Sequence, residues 1–223
     1  MEMSEFLKRW LRALAISIVL FILLSLYYFL RRGEYDISIF NKTCGSTAAV
    51  LAGVTLLIGP LRRIPFVVYF MTVRRQLGLL AFGFAFLHIF FSLYQTERFA
   101  WFSWYLEEWI PVTFGILAIL VWVYMTYISR NTQIQKLGAD VWKKRLSLSG
   151  QIAFVAIFLH LAVMKLQGWI RFFQGEQSGQ ARGIANPSYP PESLVVVVLM
   201  GAIIVYRIFI SFKQRRNPQQ EGK

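Results

Sequence analysis

Apolar residues dominate long stretches of this chain without the alternation of a half-buried strand or the narrow stripe of a soluble amphipathic helix. Six stretches are long enough, or nearly so, to cross a bilayer as helices: 10–30, 44–61, 76–96, 110–129, 147–168 and 193–212. A spanning helix needs about 20 mostly apolar residues. The second stretch is the weakest, shortened and interrupted by Gly53, Gly59 and Pro60, breaks that neighbouring helices can absorb. The first ends in Tyr27, Tyr28, Phe29, Leu30, Arg31 and Arg32 without a small-residue cleavage site, so it reads as a retained anchor. No internal repeat is evident. The pattern predicts an all-α integral membrane protein, a six-transmembrane-helix bundle over 1–212 followed by a basic tail at 213–223.

Composition agrees. Hydrophobic residues make up 57% of the 223, too many for a soluble domain of this size to hide. The formal charge of +13 changes the picture only after the basic residues are sorted by connection. Seventeen of the 24 fall in the N-terminal segment, the second-to-third and fourth-to-fifth connections and the C-terminal end, which share one side of a six-span bundle. The other side holds seven basic residues and seven of the eleven acids. The positive-inside bias then places both termini in the cytoplasm and gives the charge a topological meaning, with no nucleic-acid partner implied. Between the spans, the acids and aromatics of 97–109 read as an interfacial segment, and the Gly/Pro-rich 174–193 as an irregular, mobile outer loop. Cys44 is the only cysteine, which excludes an internal disulfide and a cysteine-ligated cluster.

The two histidines carry the candidate chemistry. His88 lies 13 residues beyond Arg75 in the third stretch, and His160 lies 15 beyond Arg145 in the fifth. At 1.5 Å per residue these are depths of about 20 and 22 Å along two helices that point the same way. Two neutral imidazoles at one level can ligate one iron from opposite faces, and a haem's apolar macrocycle suits such surroundings. Ala81 and Ala85 beside His88, with Ala153 and Ala156 beside His160, leave space, and Phe84 and Phe91 are placed to wall the ring. A plainer reading is that each histidine only hydrogen-bonds a neighbouring helix. Zinc is disfavoured because no third ligand lies at this level. Met164, four residues past His160, is either core packing or an alternative axial ligand.

The segment "RRQLGLLAFGFAFLH" and the block "KLGADVWKKRLS" followed by "FLHLAVMK" resemble the ferric reductase-like transmembrane domain family. The likeness is nearest to its small bacterial branch, haem-binding membrane subunits that serve a periplasmic methionine sulfoxide reductase. The resemblance implies a b-type haem ligated by His88 and His160 in the inner membrane. It implies electron transfer from a cytoplasmic flavin reductase or from quinol to an outer acceptor, in that branch a molybdenum-cofactor reductase. Many members carry another histidine 13 residues before the second ligand; here that position is Ser147, so one haem is expected, with FMN or quinone as candidates to bridge the inner half. Arg74 and Arg75 then have two readings, topogenic charges or an anion clamp for flavin phosphate or a propionate. Lys165 likewise either reaches a propionate of the haem or snorkels to the outer headgroups. The chain has no glycine fingerprint for a nicotinamide domain, so it would act as an electron-transfer subunit fed by a partner. The competing class is a non-redox scaffold or assembly protein.

Overall fold

The computed structural model describes residues 4–62, 64–95, 107–175 and 184–216, and every regular element among them is helical. Six long helices are α1 (Glu5–Arg32), α2 (Ile37–Ile58), α4 (Arg74–Gln95), α5 (Trp109–Ile128), α7 (Ala139–Phe173) and α8 (Glu192–Arg216). Two seven-residue helices, α3 (Pro65–Met71) and α6 (Asn131–Leu137), sit in the connections before α4 and α7. Among the described residues, α1, α4, α5, α7 and α8 are long and apolar enough to cross a membrane, which makes this a multi-pass membrane protein by helix length and hydropathy.

α2, at 22 residues, is as long as α4 but carries Asn41, Lys42, Thr43, Ser46 and Thr47 in its first half, and its position explains why. It packs against α1, α4, α7 and α8, so lipid is not its main neighbour. Its buried set includes Asn41, Thr43, Ser46 and Thr47 beside Ile39, Leu51 and Leu56. The helix starts at residue 37, seven residues before the expected 44, because the Asp36 carboxylate accepts from the Ile39 N–H at 2.7 Å and caps it. Gly53 does not interrupt it. A methyl there would meet Ile203 Cδ1 at 2.7 Å and the Phe154 ring at 3.3 Å, so the glycine lets α7 and α8 come close. The helix gives way at Gly59 and Pro60, beyond its last residue Ile58.

Contacts at the ends show that the long helices alternate in direction. At one end, hereafter the Arg74 end, Arg12 of α1 lies over the Tyr69 ring, and α4 begins beside the last turns of α2 and α5. At the other, the Glu192 end, α1 finishes at Gly33 in the left-handed conformation (φ +80°), with the Gly33 N–H bonded to Phe29 O. Residues 184–191 are irregular, as expected, and hydrogen bonds tie them to the end of α1. Asn186 Nδ2 donates to Leu30 O at 2.6 Å, Arg31 Nε donates to Tyr189 O at 3.0 Å, and the Tyr27 hydroxyl donates to Pro190 O at 2.7 Å. These bonds strap the described part of the approach to α8 onto the end of α1. Most of the segment 97–109 lies outside the described residues. Of the expected tail, residues up to Arg216 continue α8, and 217–223 lie outside.

The core is one cluster in which Leu51, Leu77, Phe154, Val196 and Met200 are sealed from outside. Four helices ring it. α4 pairs closely with α2, α5 pairs closely with α7, and lighter contacts join α2 to α7 and α4 to α5. α4 and α7 therefore stand at opposite corners. α1 and α8 pack outside this ring, and α1, α5 and α8 turn leucine, isoleucine, valine and phenylalanine outward.

The two close pairs are alike in layout. Each is a long helix, a connection containing a seven-residue helix, and a second long helix carrying one histidine. This near-repeat escaped the sequence reading because it is a repeat of spacing and not of residue identity.

Candidate haem site

His88 sits on α4 and turns its ring to α2. Its Nδ1 lies 3.1 Å from Asn41 O and 2.8 Å from Asn41 Oδ1. His160 sits on α7 and turns its ring to α5, with Nδ1 2.7 Å from Pro111 O. A main-chain carbonyl can only accept, so in both rings Nδ1 carries the hydrogen and Nε2 keeps a lone pair. That tautomer is the one a histidine uses to bind a metal through Nε2, with the outer hydrogen bond fixing the plane of the ring.

A glycine lies one turn from each acceptor. The ring of His88 rests on Gly45, where a methyl group would stand 3.1 Å from Nδ1. The ring of His160 rests on Gly115, where the distance would again be 3.1 Å. The same device is thus built twice: Asn41 with Gly45 on α2, Pro111 with Gly115 on α5, each carbonyl four residues before its glycine. Gly45 and Gly115 each stand thirteen residues short of the last residue of their helix, Ile58 and Ile128. The matched depth expected from counting along α4 and α7 is therefore met by the helices they lean on. His88 lies within electrostatic reach of His160, and both rings lie within reach of the Lys165 ammonium. Both rings are half-buried, enclosed by the bundle without being sealed over.

The corners are not quite equivalent. Asn41 is buried, and its Nδ2 donates to Ser92 Oγ at 2.9 Å, which turns its Oδ1 toward His88. Pro111 has no side chain that can do this. His88 thus has two acceptors and His160 one.

The other residues singled out in the sequence distribute as follows. Ala81, Ala85, Ala153 and Ala156 are all buried under protein atoms, where small side chains let helices close up. Phe84 stacks on Phe21 of α1 at 5.7 Å, and Phe91 packs edge-on to Phe40 of α2 at 5.1 Å, so both rings belong to an aromatic run on the α1 side of His88. Lys165 is half-buried at the Glu192 end, about 7.5 Å along α7 from His160. Met164 is also half-buried, and no contact sets it apart as a ligand.

Arg74 and Arg75 part to different neighbours. Arg74 Nε donates to Thr55 O in the last turn of α2 at 2.8 Å. Arg75 donates from Nη2 to Ser129 O just past α5 at 2.5 Å, and from Nη1 to Asn131 Oδ1 at 3.3 Å. The last carbonyls of a helix lack intrahelical partners and carry partial negative charge, so each guanidinium satisfies a helix end. The pair ties α4 to both α2 and α5 and does not converge on a common anion. Trp142 does similar work, its indole N–H donating to Ile128 O at 3.0 Å.

A cavity of about 320 Å³ opens between α2, α7 and α8 toward the Arg74 end. Its wall is mostly apolar, with Leu56, Phe154 and Ile204, and Gln151 and Arg207 provide polar groups. Gln151 bonds Ser147, thirteen residues before His160, through both the Ser147 carbonyl and hydroxyl.

Several residues of the site were missed at the level of sequence. Asn41, Gly45, Pro111 and Gly115 act only through histidines more than forty positions away. The spacings Asn-x-x-x-Gly and Pro-x-x-x-Gly, at equal distance from two helix ends, were the available signal. Glu192, buried at 2% exposure with Tyr28 and Ser46 beside its carboxylate, was not singled out. No known family's sequence profile matches this chain, and no curated protein matches it.

Proposed function

We propose that this chain is a six-span membrane protein that holds one b-type haem between His88 and His160 and passes electrons through it. The observation that carries this reading is the doubled device. Two histidines at opposite corners of a four-helix ring each donate Nδ1–H to a helix carbonyl and each keep an Nε2 lone pair. The residues fit the group: two nitrogen donors at one level, apolar walls, and a cation, Lys165, in reach of both rings. When bound, the haem supplies one-electron chemistry; the chain supplies ligand orientation and a water-poor enclosure.

The sixth span in this reading is α2, whose 22 residues equal those of α4 and whose buried polar residues Asn41, Thr43, Ser46 and Thr47 face other helices. The positive-inside bias sets the Arg74 end and both termini in the cytoplasm, and the membrane is the bacterial plasma membrane. His88 and His160 lie nearer the outer face, so the acceptor is an outer, periplasmic protein such as a molybdenum-cofactor methionine sulfoxide reductase. The donor is a cytoplasmic flavin reductase or quinol. The cavity near Gln151 and Arg207 lies between the histidines and the cytoplasmic face, where FMN or a quinone head would bridge the remaining distance.

A specific observation also favours a second reading. Both histidines do make interhelical hydrogen bonds, which is all that a non-redox scaffold requires. An absorption spectrum separates the two. Protein purified in detergent from haem-replete cells is expected to show a Soret band that shifts on reduction, with haem per chain near one. His88→Ala and His160→Ala are each expected to abolish the six-coordinate spectrum. A colourless, folded preparation from such cells overturns the haem assignment in favour of the scaffold.

A further inference from the structure

Beyond the iron ligands, the Glu192 end of the bundle encloses an unusual set of charges. Lys42 of α2 and Lys165 of α7 are both half-buried, and among the described residues neither ammonium has a hydrogen bond or an ion pair. They lie within electrostatic reach of each other, of Arg32 and of Glu192. The Arg32 Nε is buried without an acceptor, and both Glu192 carboxylate oxygens are buried without a donor; Tyr28 and Ser46 stand beside that carboxylate but outside hydrogen-bonding geometry. Two more acids face the group from the rim. Asp36 is exposed and committed to capping α2, and Glu108 is exposed at the start of α5. The enclosed part of the cluster therefore sets three cations against one acid. Removing cations from water is costly unless anions and hydrogen-bond acceptors replace it.

Position says which anion fits. Lys165 is five residues past His160 on α7, about 7.5 Å toward the Glu192 end. Lys42 is three residues before Gly45, the glycine under His88, and so about 4.5 Å toward the same end on α2. The ammoniums thus approach from two adjacent corners of the ring, both about one helical turn outward of the level at which the imidazoles lie. A molecule clasped between the imidazoles with two carboxylates on one edge would present them there.

Resting on the haem reading, we propose that Lys42 and Lys165 form a paired carboxylate site that takes the two propionates of the tetrapyrrole, so that its propionate edge faces the Glu192 end. Glu192, within electrostatic reach of both lysines, is their internal counter-ion. Arg32 adds the third positive charge from α1. The site orients the macrocycle: the carboxylates point toward the outer face and the apolar edge toward Phe154 and the core. It also distinguishes a dicarboxylate tetrapyrrole from a neutral one.

The test is reconstitution of the full-length apoprotein, made in haem-limited cells, with haem or with haem dimethyl ester, followed at the Soret band. Wild type is expected to bind haem at least roughly tenfold more tightly than the ester, the effect of one charge-assisted hydrogen bond or more. In K42M/K165M that preference is expected to collapse toward one, and K42R/K165R is expected to restore most of it. Circular dichroism and gel filtration check that each variant is folded; if the methionine variant is not, the wild-type comparison still decides. Equal affinity of wild type for the two tetrapyrroles overturns the proposal and leaves the histidine site intact. A preference unchanged in the folded methionine variant also overturns it, since the lysines then do not read the carboxylates. If neither tetrapyrrole binds with a Soret band that depends on His88 and His160, the haem assignment itself fails and takes this proposal with it.

Discussion

Adding one methyl group at Gly45 or Gly115 tests the doubled device directly. At Gly45 the new carbon would sit 3.1 Å from His88 Nδ1 and 3.2 Å from both Cε1 and Cγ. At Gly115 it would sit 3.1 Å from His160 Nδ1 and 3.3 Å from Cε1. Ordinary contact begins near 3.4 Å, so each ring has to retreat by a few tenths of an ångström. Neither ring is free to do so without loss, because Nδ1 is held to Asn41 or to Pro111. Overpacking of this kind costs about 1–3 kcal/mol. Two glycines of the histidine-bearing helices serve as controls. A methyl at Gly83 of α4 or Gly168 of α7 would meet nothing within 4 Å. There the change removes only glycine's extra backbone freedom, worth about 0.5–1 kcal/mol in favour of alanine. The assay is denaturant or thermal unfolding in detergent micelles, read by tryptophan fluorescence, with the Soret band read in parallel. Gly45→Ala and Gly115→Ala are expected to lower stability by similar amounts and to perturb the spectrum, while Gly83→Ala and Gly168→Ala leave both unchanged or raise stability slightly. If all four variants behave alike, the rings do not rest on those glycines and the geometry of the site is wrong.

Two further outcomes are expected. Asn41→Leu removes the Oδ1 acceptor and leaves His88 with the carbonyl alone, so the imidazole becomes a poorer electron donor to ferric iron; redox titration should show the midpoint rising, by about 20–60 mV for a two- to tenfold change in the one-electron ratio. No rise would mean that Oδ1 does not tune the ligand. Arg74→Ala leaves Thr55 O without its charged donor and should lower unfolding stability by about 1.5–3 kcal/mol. A variant as stable as wild type would remove Arg74 from the frame of the fold.

The helices that meet lipid were legible in the sequence because nothing but apolar length is needed to specify them. α2 was legible only from residue 44 onward. Its first two turns carry Asn41, Lys42 and Thr43, which look like a loop until the surrounding helices supply their environment. The levels of His88 and His160 could be counted in the sequence, since helical rise converts residue counts into depth. What leans on them was not. Hydrogen bonds from His88 to residue 41 and from His160 to residue 111 depend on which helices become neighbours, a matter of tertiary packing that no local pattern encodes. Arg74 and Arg75 were read as a pair because they are adjacent in sequence; successive side chains on a helix diverge by about 100°, and each found a different helix end.

The close pairing of α2 with α4 and of α5 with α7, with only light contact across the ring, bears on how the molecule is assembled. Each hairpin holds one of the two histidines, His88 on α4 and His160 on α7. If the proposed haem is bound, its iron would act as a rivet between the two hairpins and record, by its colour, that they have met. Chains severed between Gln95 and Trp109 and produced together should recover the pigment, each fragment contributing one side of the clasp.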